Sequence, residues 1–197
     1  MLKRRAERRR HRRAERERGA VLVETAILIP VIMLITFGLI EFSSAYQSSS
    51  TAASAARAAA RTASAEAMLT NYATDAALAA ATALKMIPAD EPVEMWIYKA
   101  NTEGYPGSNG NTSFTTCGTS CISYAWDTAS KSFDTDNPGG GGWPSSAQNA
   151  CDSGNWDSVG VYIKLDHKFL TKLFGANITL TDHAVFRLEP APTQLCG

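Results

Sequence analysis

Ala20 to Ile40 reads AVLVETAILIPVIMLITFGLI, twenty-one residues with a single charge, Glu24. As a helix rising about 1.5 Å per residue, such a stretch is about 31 Å long, the thickness of a bilayer's hydrocarbon core. A plain soluble globular protein is therefore excluded. A cleaved secretory signal shares the basic start and apolar run, but three features oppose it. The run exceeds the roughly 7 to 15 residues of a signal core. Glu41-Phe42-Ser43-Ser44-Ala45 is a poor small-x-small cleavage site, and the sequence beyond reads as continuing helix.

Working outward, the net charge of zero over 197 residues hides an asymmetry. Residues 1–18 carry 10 basic and 3 acidic side chains, leaving 9 basic and 16 acidic for the rest. Basic flanks stay in the cytoplasm, so residues after Phe42 are expected outside the cytoplasmic membrane, with one span and the tail inside. The arginine-rich leader reads as a topology determinant beside anionic lipid, and no nucleic-acid partner is expected.

Two residues interrupt the apolar run. Pro30 is tolerated in membrane helices where local adjustment satisfies the freed carbonyl, and a gentle kink is predicted there. Glu24 costs roughly 2.5 to 3.5 kcal/mol at the centre of a membrane helix on insertion scales. It either marks a pairing site or, one turn inside the span, reaches the interface.

The order Gly19, Ala20, Val23, Glu24, Ala26, Pro30, then Gly38-Leu39-Ile40-Glu41-Phe42, resembles the TadE-like family, proteins of the tight-adherence (Tad) pilus and secretion machinery. The resemblance implies a type IV pilin-like chain in which a prepilin peptidase cuts between Gly19 and Ala20, leaving Glu24 fifth in the mature protein. The new ammonium and Glu24 would neutralise each other or pair with a neighbouring subunit, lowering the cost of placing both in lipid. Thr25 departs from the aromatic that usually follows this glutamate in processed members. The implied partners are the membrane, other pilins or pseudopilins, Tad assembly proteins and prepilin peptidase.

Ser43 to Ile87 is alanine-rich without glycine or proline and predicts a continuing helix that Pro88 stops. Its apolar stripe is predicted through Tyr46, Ala53, Ala56, Ala60, Ala63 and Ala67, then Met68, Tyr72, Ala76, Ala79, Ala83 and Met86. The stripe suits either a bundle of subunits or a helix lying on its own head, while intrinsic propensity alone also explains the alanine. Alternation predicts strands at Val93–Lys99, Val159–Leu165 and Asn177–Arg187, with a Phe169–Phe174 patch between the last two. Residues 101–158 read as loops with short strands, and Gly139–Gly142 as a flexible turn rather than a phosphate-binding loop.

Cys117, Cys121, Cys151 and Cys196 all fall on the side placed outside the cytoplasm, where two disulfides can persist. Four cysteines allow three connectivities, and spacing selects none. No metal is expected: Cys117 and Cys121 lack a second ligand pair, and Asp127, Asp134 and Asp136 do not follow the EF-hand spacing. His167 and His183 read as ordinary core or surface histidines; a membrane-tethered hydrolase would need them, or Asp166, to converge with a nucleophile. No catalytic residue or cofactor is expected.

The predicted fold is α+β, membrane-anchored and pilin-like: a basic cytoplasmic leader (1–19), a transmembrane helix (20–42), an Ala-rich helical extension (43–87) and a small antiparallel β-containing head (93–197). The function expected is a structural or assembly component of a Tad pilus or related secretion machine. The alternative is a single-pass surface protein presenting a disulfide-stabilised binding head.

Overall fold

The computed structural model describes residues 2–88, 91–151, 154–172 and 175–196, with side chains at 19 and from 21 onward. The side chains of the basic leader and of Ala20, and Leu173 and Phe174 of the apolar patch, lie outside the described residues. The chain divides into two compact units, Met1–Ser44 and Ala45–Gly197. The fold is α+β, a long amino-terminal helix and an antiparallel sheet, as the sequence predicts.

Helix α1 runs Leu2–Ala65 with Pro30 inside it. In the first unit, large apolar side chains stand exposed from Val21 to Phe42, while Gly38 and Glu41 near the end of the stretch are buried. A helix apolar all round has no polar face for water and is suited to lipid. The hydroxyls of this stretch are satisfied internally: Thr25 donates to the Val21 carbonyl at 2.7 Å and Thr36 to that of Ile32 at 2.8 Å, so neither carries a bare polar group into an apolar medium. Among the described residues this is the one helix long and apolar enough to cross a membrane.

The second unit is built on alanine. Ala52, Ala55, Ala56, Ala59, Ala60 and Ala63 of α1 are buried at helical spacing, and helix α2 (Tyr72–Leu84) buries Tyr72, Ala73, Ala76, Ala77, Ala80, Ala81 and Leu84. Both faces join one core with Met95, Ile97, Val159, Val161, Ile163 and Leu165 of the sheet. A methyl group lets a helix axis approach its neighbour closely, and each buried methyl removed from water contributes about 0.8 kcal/mol. The alanine-rich segment therefore lies on its own head. The ends of the predicted stripe are corrected: Tyr46 and Met86 are 77 % and 76 % exposed.

The single helix predicted from Ser43 to Ile87 is two helices. The chain turns between Ala65 and Tyr72, where Met68 takes a left-handed conformation (φ 65°) and its amide donates to Gln148 Oε1 at 2.6 Å. Tyr72 anchors the start of α2, its hydroxyl donating to the Trp143 carbonyl and its ring meeting the Trp143 ring edge-on at 6.1 Å. The break is imposed by residues some 70 to 80 positions away, overriding local helix propensity.

The sheet comprises β1 (Pro92–Lys99), β2 (Cys121–Asp127), β3 (Ser132–Phe133), β4 (Ser158–Lys168) and β5 (Asn177–Arg187), in the order β3-β2-β1-β4-β5 with every pairing antiparallel. Its face away from the alanine core carries Trp96, Tyr98 and Tyr162, capped by Phe114 from the β1–β2 connection, which stacks on Tyr162 at 4.4 Å. Gly160 stands opposite Tyr98, and a Cβ there would overlap the Tyr98 ring. This glycine makes room for an aromatic across the strand pair.

The glycine run expected to be a flexible turn is packed. Gly139 exchanges backbone hydrogen bonds with Ser123 at 2.8 and 2.9 Å, and Gly142 donates to the Cys121 carbonyl at 2.9 Å. Added Cβ atoms would meet the Cys121 carbonyl oxygen at 2.5 Å from Gly140 and the Gly118 carbonyl oxygen at 2.7 Å from Gly141. Glycine is required here because backbone lies directly on backbone.

Candidate functional site

The amino-terminal motif sits on one uninterrupted helix. Gly19 is exposed and helical, Glu24 is exposed one turn further on, and their neighbours Val21, Leu22 and Val23 are 59 %, 71 % and 62 % exposed. A carboxylate among exposed apolar side chains is costly to place in an apolar medium unless it reaches a headgroup or meets a cation. Pro30 follows within the same helix, six residues on.

The cysteines resolve into two bridges, Cys117–Cys121 and Cys151–Cys196, one of the pairings left open by spacing. The first ties the β1–β2 connection to the first residue of β2. The second fixes the segment after β5 to the loop before β4, a closure continued by Ala191 donating to the Ala150 carbonyl at 3.0 Å.

One polar cluster was not visible in the sequence. Ser48 of α1, Glu91 just before β1 and His167 of β4 meet inside the second unit, each about 3 % exposed. Ser48 Oγ donates to Glu91 Oε2 at 2.7 Å, His167 Nδ1 lies 2.9 Å from Glu91 Oε1, and Ser48 Oγ lies 3.3 Å from that same ring nitrogen. A serine, a histidine and a glutamate together invite comparison with a nucleophile–base–orienter chain, which uses both imidazole nitrogens, one for the nucleophile and one for the carboxylate. Here serine and carboxylate share Nδ1, and the serine hydrogen goes to the carboxylate. The arrangement serves instead to fasten helix to sheet through groups that satisfy one another away from water.

The other candidate residues do not converge. Asp166 accepts from the Thr179 hydroxyl at 2.8 Å, and His183 lies against the rings of Phe114 and Tyr105 at 5.0 and 5.4 Å. Asp127 accepts from the Ala129 amide and the Ser130 hydroxyl, and Asp134 from the Asp136 amide, so each carboxylate closes its own turn. Among the described residues no three His, Cys, Asp or Glu side chains group as metal ligands. A cavity of about 470 Å³ opens between the start of α2 and the glycine run, lined by Tyr72, Ile122, Tyr124 and Trp143 with no charged side chain.

Burial raises the phenol pKa values of Tyr72, Tyr98, Tyr124 and Tyr162 above the ordinary tyrosine value. Tyr98 is held further by donating to the Gly104 carbonyl at 2.9 Å. A tyrosine whose folded pKa exceeds its unfolded value contributes stability that is complete below the unfolded pKa and lost as pH rises beyond it. Urea titrations are therefore expected to show stability level to about pH 10 and falling above it. Removing one phenol by Tyr98→Phe should soften that fall, whereas an unchanged alkaline limb would show that Tyr98 does not take part.

No curated protein and no solved structure matches the chain. A similarity to a known family lies at the amino terminus, in the stretch that holds Glu24 and the exposed apolar helix: residues 19–61 match the family model described as TadE-like protein.

Proposed function

We propose that this chain is a minor pilin or pseudopilin of a tight-adherence pilus or a related secretion machine, held in the cytoplasmic membrane by one span with its head outside. The observation that carries the reading is the TadE-like match over a helix whose large apolar side chains stand exposed from Val21 to Phe42. Its work is structural rather than enzymatic. The span holds the subunit until assembly, Glu24 sets register by pairing with a neighbour's cation, and the head contacts other pilins and Tad assembly proteins.

Prepilin peptidase is the partner that acts first, removing the basic leader after Gly19. A free ammonium at Ala20 then stands at the start of a helix whose dipole also favours the nearby Glu24 carboxylate. The test is the amino-terminal sequence and intact mass of protein from native membranes. A chain starting at Ala20 is expected; a start at Met1 would leave a membrane-anchored assembly factor, and a start beyond Phe42 would overturn the anchored reading. Co-purification with pilins separates the proposal from an anchored binding head without a pilus role.

A further inference from the structure

We propose that the open edge of β5 pairs with β5 of a second copy of this chain, antiparallel and about a two-fold axis at Thr181, joining two heads into one sheet. Strand β5 ends the order β3-β2-β1-β4-β5, so among the described residues β4 is its one neighbouring strand. Both ends of that pairing show which residues face the open side. Phe169 donates to the Ala176 carbonyl at 3.1 Å and Leu188 to the Asp157 carbonyl at 2.9 Å, so the even-numbered residues between Ala176 and Leu188 exchange hydrogen bonds with β4. In an antiparallel pair the alternate residues turn their amides and carbonyls the other way. The odd-numbered residues from Asn177 to Arg187 therefore line the open edge.

The carboxy-terminal end of that row is occupied. Ser64 Oγ donates to the Arg187 carbonyl at 2.6 Å, and the Glu189 amide donates to the Ser64 carbonyl at 3.0 Å. From Asn177 to Val185, among the described residues, the outward backbone groups meet no other strand, helix or loop. A single one is capped by a side chain, the His183 amide, which donates to Asp182 Oδ1 at 2.7 Å. Sheet edges are commonly blunted by shortness, lysine, proline or a bulge. Strand β5 has eleven residues, all exposed or half-exposed, without lysine or proline and with an unbroken register on β4.

The free run is 177–185, and its midpoint is Thr181. A two-fold axis there sets Asn177 opposite Val185, Thr179 opposite His183 and Thr181 opposite its own copy on one face. On the other face Ile178 stands opposite Ala184 and Leu180 opposite Asp182. Every outward group of the run then has a partner, and no like charges face one another. Moving the axis to Asp182 would oppose two carboxylates and carry Asn177 onto Arg187, where Ser64 already stands. The run is thus complementary to itself, as a closed two-fold contact requires. On pairing, the His183 amide exchanges Asp182 for the partner's Thr179 carbonyl, a competition that keeps the contact reversible. The contact belongs to the head alone and stands whether or not the chain enters a pilus.

The test uses the full chain in detergent. Thr181 is exposed and its backbone groups face away from β4, so charges placed there spare the fold. Thr181→Lys and Thr181→Glu, each setting like charges directly opposite, are expected to weaken the dimer several-fold in sedimentation, and an equimolar mixture of the two to restore it. The register is read separately by mixing Ile178→Cys chains with Ala184→Cys chains of distinguishable mass, the native cysteines being paired with each other. These positions would form a non-hydrogen-bonded pair with Cα atoms about 4.5 Å apart, within reach of a disulfide. The mixed cross-link is expected to exceed the like-with-like products several-fold.

A monomer at every concentration would overturn the proposal outright. Association unmoved by either charge would overturn it in favour of a contact elsewhere, the span included. Weakening without restoration on mixing, or equal yields of mixed and like cross-links, would overturn the two-fold axis at Thr181. A photo-cross-linker at position 181 that captures another protein in native membranes, in place of this chain, would overturn the assignment to a second copy.

Discussion

Replacing Cys151 and Cys196 together by serine is expected to lower the stability of the head by about 4 kcal/mol, against about 2 kcal/mol for the Cys117 and Cys121 pair. The difference follows from chain entropy. One bridge closes over a sequence separation of 45 and the other over 4, and the unfolded chain loses more freedom when the longer loop is tied. The long bridge also fastens the tail after β5, whose Glu189 amide donates to the Ser64 carbonyl of α1 at 3.0 Å while Ser64 Oγ donates to the Arg187 carbonyl at 2.6 Å. Urea unfolding of the full chain in detergent, followed by tryptophan fluorescence, measures both losses. Equal losses for the two pairs would show that the loop-length argument does not govern this protein.

His167→Leu is expected to cost about 3 to 5 kcal/mol, because removing one member of a buried ion-paired or hydrogen-bonded set leaves the other without compensation. The member left behind is Glu91, 3 % exposed, with Ser48 as its remaining described side-chain partner. Ser48→Ala is a smaller change, about 1 to 3 kcal/mol, since the carboxylate keeps His167. The distinguishing experiment is the double variant Glu91→Leu with His167→Leu, in which no buried charge is stranded. It should recover part of the single-variant loss, giving a non-additive cycle. Strict additivity in urea midpoints would mean that the two side chains act independently and that the cluster is not a fastening unit.

The parts of this molecule that were legible in the sequence are those set by local pattern. The apolar run, Pro30 within it and the alternation of Asn177–Arg187 each report on a periodicity of a few residues, and β5 has those bounds in the structure. β4 extends beyond the predicted Leu165 to Lys168, since Asp166 and His167 find partners in Thr179 and Glu91 that a sequence does not display. The turn between α1 and α2 left no glycine or proline as a sign. Met68 adopts its left-handed conformation to meet Gln148, 80 residues on. The Ser48–Glu91–His167 cluster was illegible for the same reason, its members standing 43, 76 and 119 residues apart in pairs. Even the amino-terminal site was only half legible: the motif names Glu24, while the subunit proposed to pair with it lies outside the sequence.

The two bridges also differ in when they can close. Synthesis delivers a chain amino terminus first at about 5 to 20 residues per second. Cys117 and Cys121 emerge almost together, so their bond can form before β2 has a partner strand beyond β1. Cys151 must then wait roughly 2 to 9 seconds for Cys196 at those rates, an interval filled by β4 and β5. In an oxidising compartment, early closure of the short pair would remove the two thiols with which Cys151 could mispair, so the order of emergence would favour the long bridge.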